Sequence, residues 1–278
     1  MRVLKGEVVR IEVRGGEVEW RPGQHCFLRL PGVEVLGNHP FTVACAPGLP
    51  DDRGVGFRKE DSRNMVFFVK AHKGFSRKLL EYCTSYPDAR PEVWIEGPYG
   101  GISRAVERLF DTVVLVAGGT GITACLPWLE FLASSGRENC TVQRVVLVWV
   151  IRDRDHYSWV EKALDNVEEQ DVSVSIEKRI FITGEGNTAE TGREIEMKEF
   201  PASSSSYPHA NSSTEFAQGR PNLSTLTAEI VGEGKTLVIG CGPDSMRTEL
   251  ANACANLQSR VLRGKTQEIA MHLEAFGW

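Results

Sequence analysis

The run TVVLVAGGTGITACLPWLEFLA, Thr112 to Ala133, is the one membrane-like stretch of the chain, and it restricts the possible folds more than any other segment. Glycines, a proline and Glu130 interrupt it, so it is no spanning helix. It reads instead as a buried strand, a glycine turn and a helix. A strand that is apolar along its whole length belongs in a parallel sheet covered on both faces. From about residue 111 that grammar repeats: TVVLVAG, RVVLVWVI, VSVSIEKRIFI and TLVIGCG read as buried parallel strands. Ile122 to Leu132, His156 to Glu169 and Asp244 to Leu257 read as helices, with Val160, Leu164 and Val167 on one face. This half is α/β and Rossmann-like, with ligands expected at the carboxyl ends of its strands.

Before residue 105 the pattern is different. GEVVRIEV, EVEW, HCFLRL, FTVAC, MVFFVKAH and EVWIEG are short alternating segments broken by turns, as in a small antiparallel β-barrel. The expected organisation is therefore two domains, 1–105 and 106–278. The charged loop APGLPDDRGVGFRKEDSRN is expected to be exposed, and the alternating Met1 segment to open a strand rather than serve as a signal peptide. Residues 184–222 are rich in Ser, Gly and Glu and poor in apolar periodicity, so a disordered insertion is expected there.

Composition removes several function classes. The net charge of -5, without a basic block among aromatics, leaves nucleic acid without a footprint. Seven cysteines (Cys26, Cys45, Cys83, Cys125, Cys140, Cys241, Cys254) contain no CxxC and no Cys/His ligand spacing, which argues against a disulfide framework and a zinc site. Asn-x-Ser/Thr triplets begin at Asn139, Asn211 and Asn222, but a reducing compartment fits the cysteines better than glycosylation does.

Several motifs carry chemistry. In AHKGFSRKLLEY, Gly74, Phe75 and Ser76 stand at a helix mouth, whose unpaired N–H groups suit a pyrophosphate; a plain Ser76 N-cap uses the same letters. IEGPYGG, Ile95 to Gly101, lets backbone approach a flat ligand, though a simple turn would look alike. Gly118, Gly119, Thr120 and Gly121 end a strand ahead of a helix and depart from GxGxxG, yet offer phosphates the same access to helix N–H groups. Arg152 and Arg154 follow the next strand, where an arginine can pair with a 2′-phosphate; the interleaved Asp153 and Asp155 suit a solvated turn equally. Cys241, Gly242 and Pro243 end another strand, with Asp244 as a possible cap. Cys241 reads either as a small buried hydrophobe or as a crevice residue. In NHPFTVACAP, Pro40 fixes a strand entry with Phe41 and Val43 on one face, and His39 and Thr42 are left for solvent or for a ligand.

In this order, PGQHCFLRLPG, HPFTVA, KGFSRKLL, GPYGG, VAGGTGIT, WVIRD, CGP and EAFGW resemble the ferredoxin-NADP reductase-like flavoproteins. They resemble more closely the cytosolic dehydrogenase region of fungal ferric-chelate reductases and NADPH oxidases, and HPFT and EAFGW favour the ferric reductase branch. The resemblance implies FAD and NADPH as cofactors. It places His39 near FAD phosphate or ribityl groups, with Pro40 orienting the set. Phe41 would lie against the isoalloxazine and the Thr42 hydroxyl toward flavin N5. Gly74, Phe75 and Ser76 would take the pyrophosphate, with Tyr99 and Gly100 nearby. Gly118 to Gly121 with Thr123 would hold the NADPH phosphates, and Cys241 would sit beside the nicotinamide, with Gly242 and Pro243 also toward the cofactor. Phe276 or Trp278 would cover the flavin face. Thr42, Cys241, Phe276 and Trp278 are thus expected at the reacting atoms, as positioning groups for hydride transfer.

In that family the one-electron acceptor is the haem of a membrane domain, on whose cytosolic side this region lies. No such spans or haem histidines occur here, so the chain reads as a domain of a longer protein, a truncated product or a free-standing reductase, soluble in the cytoplasm by itself. A soluble flavin or cytochrome reductase, an NADPH oxidase dehydrogenase domain and a non-catalytic nucleotide-binding remnant remain as alternatives.

Overall fold

The computed structural model describes residues 1–14, 18–47, 64–135, 140–169, 174–184 and 212–275. They form two compact units, each assembled from separate stretches of chain. Met1–Ser103, Thr123–Phe131 and Ser158–Ala163 make the first; Arg104–Ile122, Leu132–Tyr157 and Leu164–Trp278 make the second.

The first unit is built on two three-stranded antiparallel sheets. One holds β1 (Arg2–Leu4), β2 (Val8–Val13) and β5 (Met65–Lys70) in the order β1-β2-β5. The other holds β3 (Gln24–Arg29), β4 (His39–Thr42) and β6 (Trp94–Gly100) in the order β4-β3-β6. Past Thr42 the chain crosses between the sheets, and the Ala44 amide donates to the Val66 carbonyl at 2.7 Å. Alternation decides what is buried: Val9, Ile11, Cys26, Leu28, Phe67 and Val69 point inward and meet Phe75 and Leu79 of α1 (Phe75–Ser85). Val18–Trp20, expected in a strand, has no strand assignment. Trp20 explains the apolar signal there, since its buried indole donates to the Cys45 carbonyl at 2.9 Å.

The second unit carries a six-stranded parallel sheet in the order β10-β9-β8-β7-β11-β12. Its strands are β7 (Thr112–Gly118), β8 (Arg144–Ile151), β9 (Ser175–Ile182), β10 (Ser212–Gln218), β11 (Lys235–Cys241) and β12 (Glu268–Glu274). The central β7, β8 and β11 are buried along nearly their whole length, which accounts for their unbroken apolar sequences. Between these strands the chain runs through α2 (Val106–Leu109), α3 (Ile122–Ser134), α4 (Glu161–Glu169), α5 (Leu223–Ile230) and α6 (Asp244–Leu262), of which Thr123–Phe131 in α3 and residues 161–163 in α4 belong to the first unit. Leu223, Leu226 and Ile230 of α5 join Met246, Leu250 and Cys254 of α6 over Val114, Val146 and Val238.

Three further local expectations need correction. Residues 212–222, placed in a disordered insertion, hold β10 and then the Asn222 cap of α5; Glu185 to Asn211 lies outside the described residues. A polar segment is ordered here because β9 offers it a free edge, and β10 pairs with β9 along its full length. The helix expected over His156 to Glu169 begins as a 3₁₀ segment at Arg154–Trp159 before α4. Asp244 is the first residue inside α6 rather than its cap, with its carboxylate taken by Arg247. None of the helices, among the described residues, is long and apolar enough to cross a membrane.

Candidate functional site

Within the first unit the candidate residues lie on β4, β6 and the start of α1. β4 is an edge strand, the one setting in which Pro40 costs no ladder hydrogen bond. Its register against β3 pairs Thr42 with His25 and Phe41 with Cys26. The two halves of the motif therefore serve opposite faces. Phe41 turns inward onto the core and lies 6.1 Å from the Phe75 ring, and His39 stacks on Phe75 at 4.0 Å with 16° between planes. Thr42 turns outward into a cross-strand row with His25 and Tyr99, the latter also opposite His25 from β6.

His25 and Tyr99 approach to 6.1 Å between ring centroids, and Phe27 closes the group 5.8 Å from Tyr99. The Tyr99 hydroxyl donates to Glu96 at 2.9 Å, which holds the phenol proton and raises its pKa. His25 and Phe27 were not among the residues singled out from sequence. The signal was present: in QHCFLR every second side chain shares a face with Thr42 once HPFT is paired against it.

At α1 the chain enters through Gly74, with φ 59° and no side-chain cap. A Cβ there would meet nothing within 4 Å, so the space before the helix is open. The Ser76 hydroxyl is not a helix cap. It accepts from the His72 amide at 3.0 Å and donates to the Lys73 carbonyl at 3.2 Å, bracing the loop that presents Gly74. Phe75 is buried, so of the Gly-Phe-Ser motif only Gly74 and Ser76 face outward.

In the second unit the ends of β7 and β11 come together through glycine. A Cβ on Gly118 would stand 2.8 Å from Pro243 Cδ, and one on Gly242 would stand 3.2 Å from the Gly118 Cα. One on Gly121 would collide with the Cys241 carbonyl. Only glycine permits this crossing. Gly119, with φ 54°, is the exception, since a Cβ there would meet no atom within 4 Å. The indole of Trp149 on β8 donates to the Gly119 carbonyl at 2.9 Å and fixes the turn from below. Thr120 follows in the same 3₁₀ turn, Gly119–Gly121. Thr123 and Cys241 are both buried, so neither side chain is on open surface.

Arg152 is exposed, and its carbonyl accepts from the Gly184 amide at 2.7 Å. Arg154 holds its guanidinium 4.9 Å over the ring of Phe216, which itself meets Tyr157 edge-on at 5.2 Å. Phe216 belongs to β10, so sequence reading could not include it. Phe276 and Trp278 lie outside the described residues.

These residues fit dinucleotides. Gly74 and Gly119 share one arrangement: a left-handed glycine with open space at its Cβ position, just ahead of an α-helix of 11 and 13 residues respectively. Such a turn presents helix N–H groups to a phosphate without obstruction.

Comparison with known proteins agrees. Residues 110–255 match the family described as Ferric reductase NAD binding domain, and residues 1–103 the family described as FAD-binding domain. Ferric/cupric reductase transmembrane component 7 of Saccharomyces cerevisiae is 25% identical over 97% of this chain and 46% of its own length. Probable cell surface ferric reductase kap2 of Aspergillus oryzae is 30% identical over 66% of this chain and 24% of its own. NADPH oxidase 1 of Rattus norvegicus is 22% identical over 91% and 43%. The chain thus spans less than half the length of these relatives. Among solved structures, the CS-b5R domains of human Ncb5or match at a TM-score of 0.62 and 13% identity, over 99% of this chain and 67% of that one. Ferredoxin-NADP+ reductase from Plasmodium falciparum matches at 0.54 and 11%, over 96% and 88%. Both structural likenesses speak to the fold.

Proposed function

Because the chain belongs to the ferric reductase NAD-binding family, we propose that it takes reducing equivalents from NADPH and passes electrons singly to an acceptor, as the dehydrogenase part of a ferric-chelate reductase. FAD held by the first unit would supply a hydride acceptor whose electrons can leave one at a time. The chain's own residues bind and orient. Gly118, Gly119, Thr120 and Gly121 receive the coenzyme phosphates, and Gly74 and Ser76 those of FAD, through main-chain N–H groups. Thr42 offers its hydroxyl at the free edge of β4, with His25 and Tyr99 beside it on the same face. Phe41 and His39 fix that edge from behind by packing on Phe75. Cys241 and Pro243 shape the wall at the end of β11.

Gly119 carries the reading, because its left-handed φ of 54° and the open space at its Cβ position leave bare backbone free for a phosphate, while the close packing of Gly118, Gly121 and Gly242 holds that turn in place. The natural acceptor is a haem in a membrane domain, with this region on the cytosolic side. Purified protein should show flavin absorbance that NADPH bleaches under anaerobic conditions and that a ferric chelate restores. A colourless protein that binds nucleotide without turnover would leave a binding module instead. Oxygen as final acceptor is the second reading, favoured by the similarity over 99% of this chain to the Dual oxidase of Drosophila melanogaster. It would appear as restoration by dioxygen in preference to the chelate.

A further inference from the structure

Beside the first turn of α1 an acid sits where the sequence supplies none. The helix has no acidic residue in its first turn and no side-chain cap. The negative charge comes from outside, from Glu34 in the turn that follows β3. Its Oε2 lies 2.8 Å from His39 Nε2 on β4, and its Oε1 accepts from Lys78 Nζ on α1 at 2.8 Å. One carboxylate thus places an oxygen on each of two basic groups drawn from different elements, as two oxygens of a phosphate would. His39 cannot turn away, because its ring is stacked on Phe75.

The turn is shaped around this acid. The Val33 and Glu34 amides both donate to the Leu30 carbonyl at 2.9 Å, and a Cβ at Gly37 would collide with the Glu34 carboxylate. Little holds it there from beyond: Val35 is 73% exposed and Leu36 is 90% exposed. The carboxylate itself is partly exposed, where solvent screens an ion pair and leaves it weak. Such a contact can be exchanged for a better anion.

We infer that Glu34 is an internal competitor for the flavin dinucleotide: its carboxylate occupies His39 and Lys78, and a phosphate of FAD takes those two groups only as Glu34 withdraws. This rests on the reading of the first unit as the FAD-binding part. The acid thereby sets how tightly FAD is held, and it keeps His39 and Lys78 from standing as an open anion trap before FAD arrives.

The test is the release of FAD from the holoprotein on dilution, followed by recovery of flavin fluorescence, with riboflavin as a flavin that lacks phosphate. Glu34→Gln keeps the size of the side chain and removes its charge. It should hold FAD about 5-fold more tightly, the worth of two exposed ion pairs, with riboflavin affinity unchanged. Glu34→Asp, too short to reach both partners, should fall between, and Lys78→Met should bind FAD more weakly than the parent. Unchanged or weakened FAD affinity in Glu34→Gln overturns the inference, as does an equal gain for riboflavin. Titration with inorganic pyrophosphate separates the two levels of argument. If neither protein retains FAD but Glu34→Gln gains pyrophosphate affinity, the flavin reading falls and the competition stands; if pyrophosphate affinity does not change, the competition falls.

Discussion

Thr42 and Phe41 are neighbours in sequence and yet answer to different physics, so their substitutions should separate. Phe41→Ala empties a partly buried place between Cys26 and Phe75 and should cost about 3 kcal/mol of stability. Thr42→Val changes an outward hydroxyl to a methyl and should alter stability by less than about 0.5 kcal/mol, while slowing reduction of bound FAD by NADPH. Thermal melts beside stopped-flow bleaching would check the pair; equal losses in both assays would return Thr42 to an ordinary strand residue. Arg154 makes a second residue-scale case. With its guanidinium over Phe216 it is the better held of the two arginines, so Arg154→Ala should raise KM for NADPH several-fold and leave NADH use unchanged, with a smaller effect from Arg152→Ala. Equal effects on both coenzymes would mean a structural contact only. At this scale the sequence displayed the glycines plainly, since glycine in a strand–helix turn has few other uses. It hid His25, Trp149, Phe216 and Glu34, whose positions follow from partners distant along the chain.

Among the elements, β9 carries the densest charge in the second unit. Glu177 is bound by Arg144 of β8 at 2.7 Å and by Arg179 at 3.1 Å, and Arg179 reaches Glu229 of α5 at 3.0 Å. Burial pushes the Glu177 carboxyl up, and the two guanidiniums more than reverse it, leaving its pKa below the ordinary value. A depressed folded pKa gives stability that is complete above the unfolded value and is lost as pH falls through the folded one. Acid unfolding below about pH 4 should therefore be shallower in Glu177→Gln, which should also lose about 2 kcal/mol at neutral pH as Arg144 and Arg179 each lose one charge-assisted hydrogen bond. Urea melts at pH 7 and pH 3.5 would show it, and parallel acid limbs for both proteins would refute it. On the next strand, the Thr214 hydroxyl donates to Glu168 at 2.7 Å, and the buried Lys178 pairs with the same carboxylate, so α4, β9 and β10 share one polar joint. Deleting Glu185 to Pro221 removes β10 from that joint and should lower the melting temperature, against the expectation of a disordered insertion there. SSTEFAQ lacks the apolar run of a central strand because an edge strand needs none, which is why it escaped notice. The start of α5 was legible but misread: Asn222, noticed only as part of a triplet, accepts from the Thr225 amide at 2.9 Å as a helix cap.

For the whole molecule, the antiparallel and parallel halves were readable from the change of hydrophobic period near residue 105, because period reports which faces are buried. What period cannot report is which unit a helix completes. Residues 123–131 and 158–163 lie far along the chain from Ser103 and still belong to the first unit. Within it, the Glu130 carboxylate accepts from the Ala46 amide at 2.7 Å, the Trp128 indole stands where a Cβ on Gly23 would be 3.1 Å away, and the Trp159 indole donates to the Lys5 carbonyl at 2.9 Å. A fragment ending at Ser103 would carry every strand of its two sheets and lack these partners, leaving an amide and two indole-sized surfaces bare. Expressed alone it should be insoluble or molten, and co-expression with 104–278 should rescue it; a well-folded, flavin-binding fragment would contradict this. The consequence reaches into ancestry. A recombination joint at residue 103 would part the first unit from pieces of itself, so residues 1–103 grafted onto the second half of a distant relative should fold only where that half supplies equivalents of Trp128, Glu130 and Trp159.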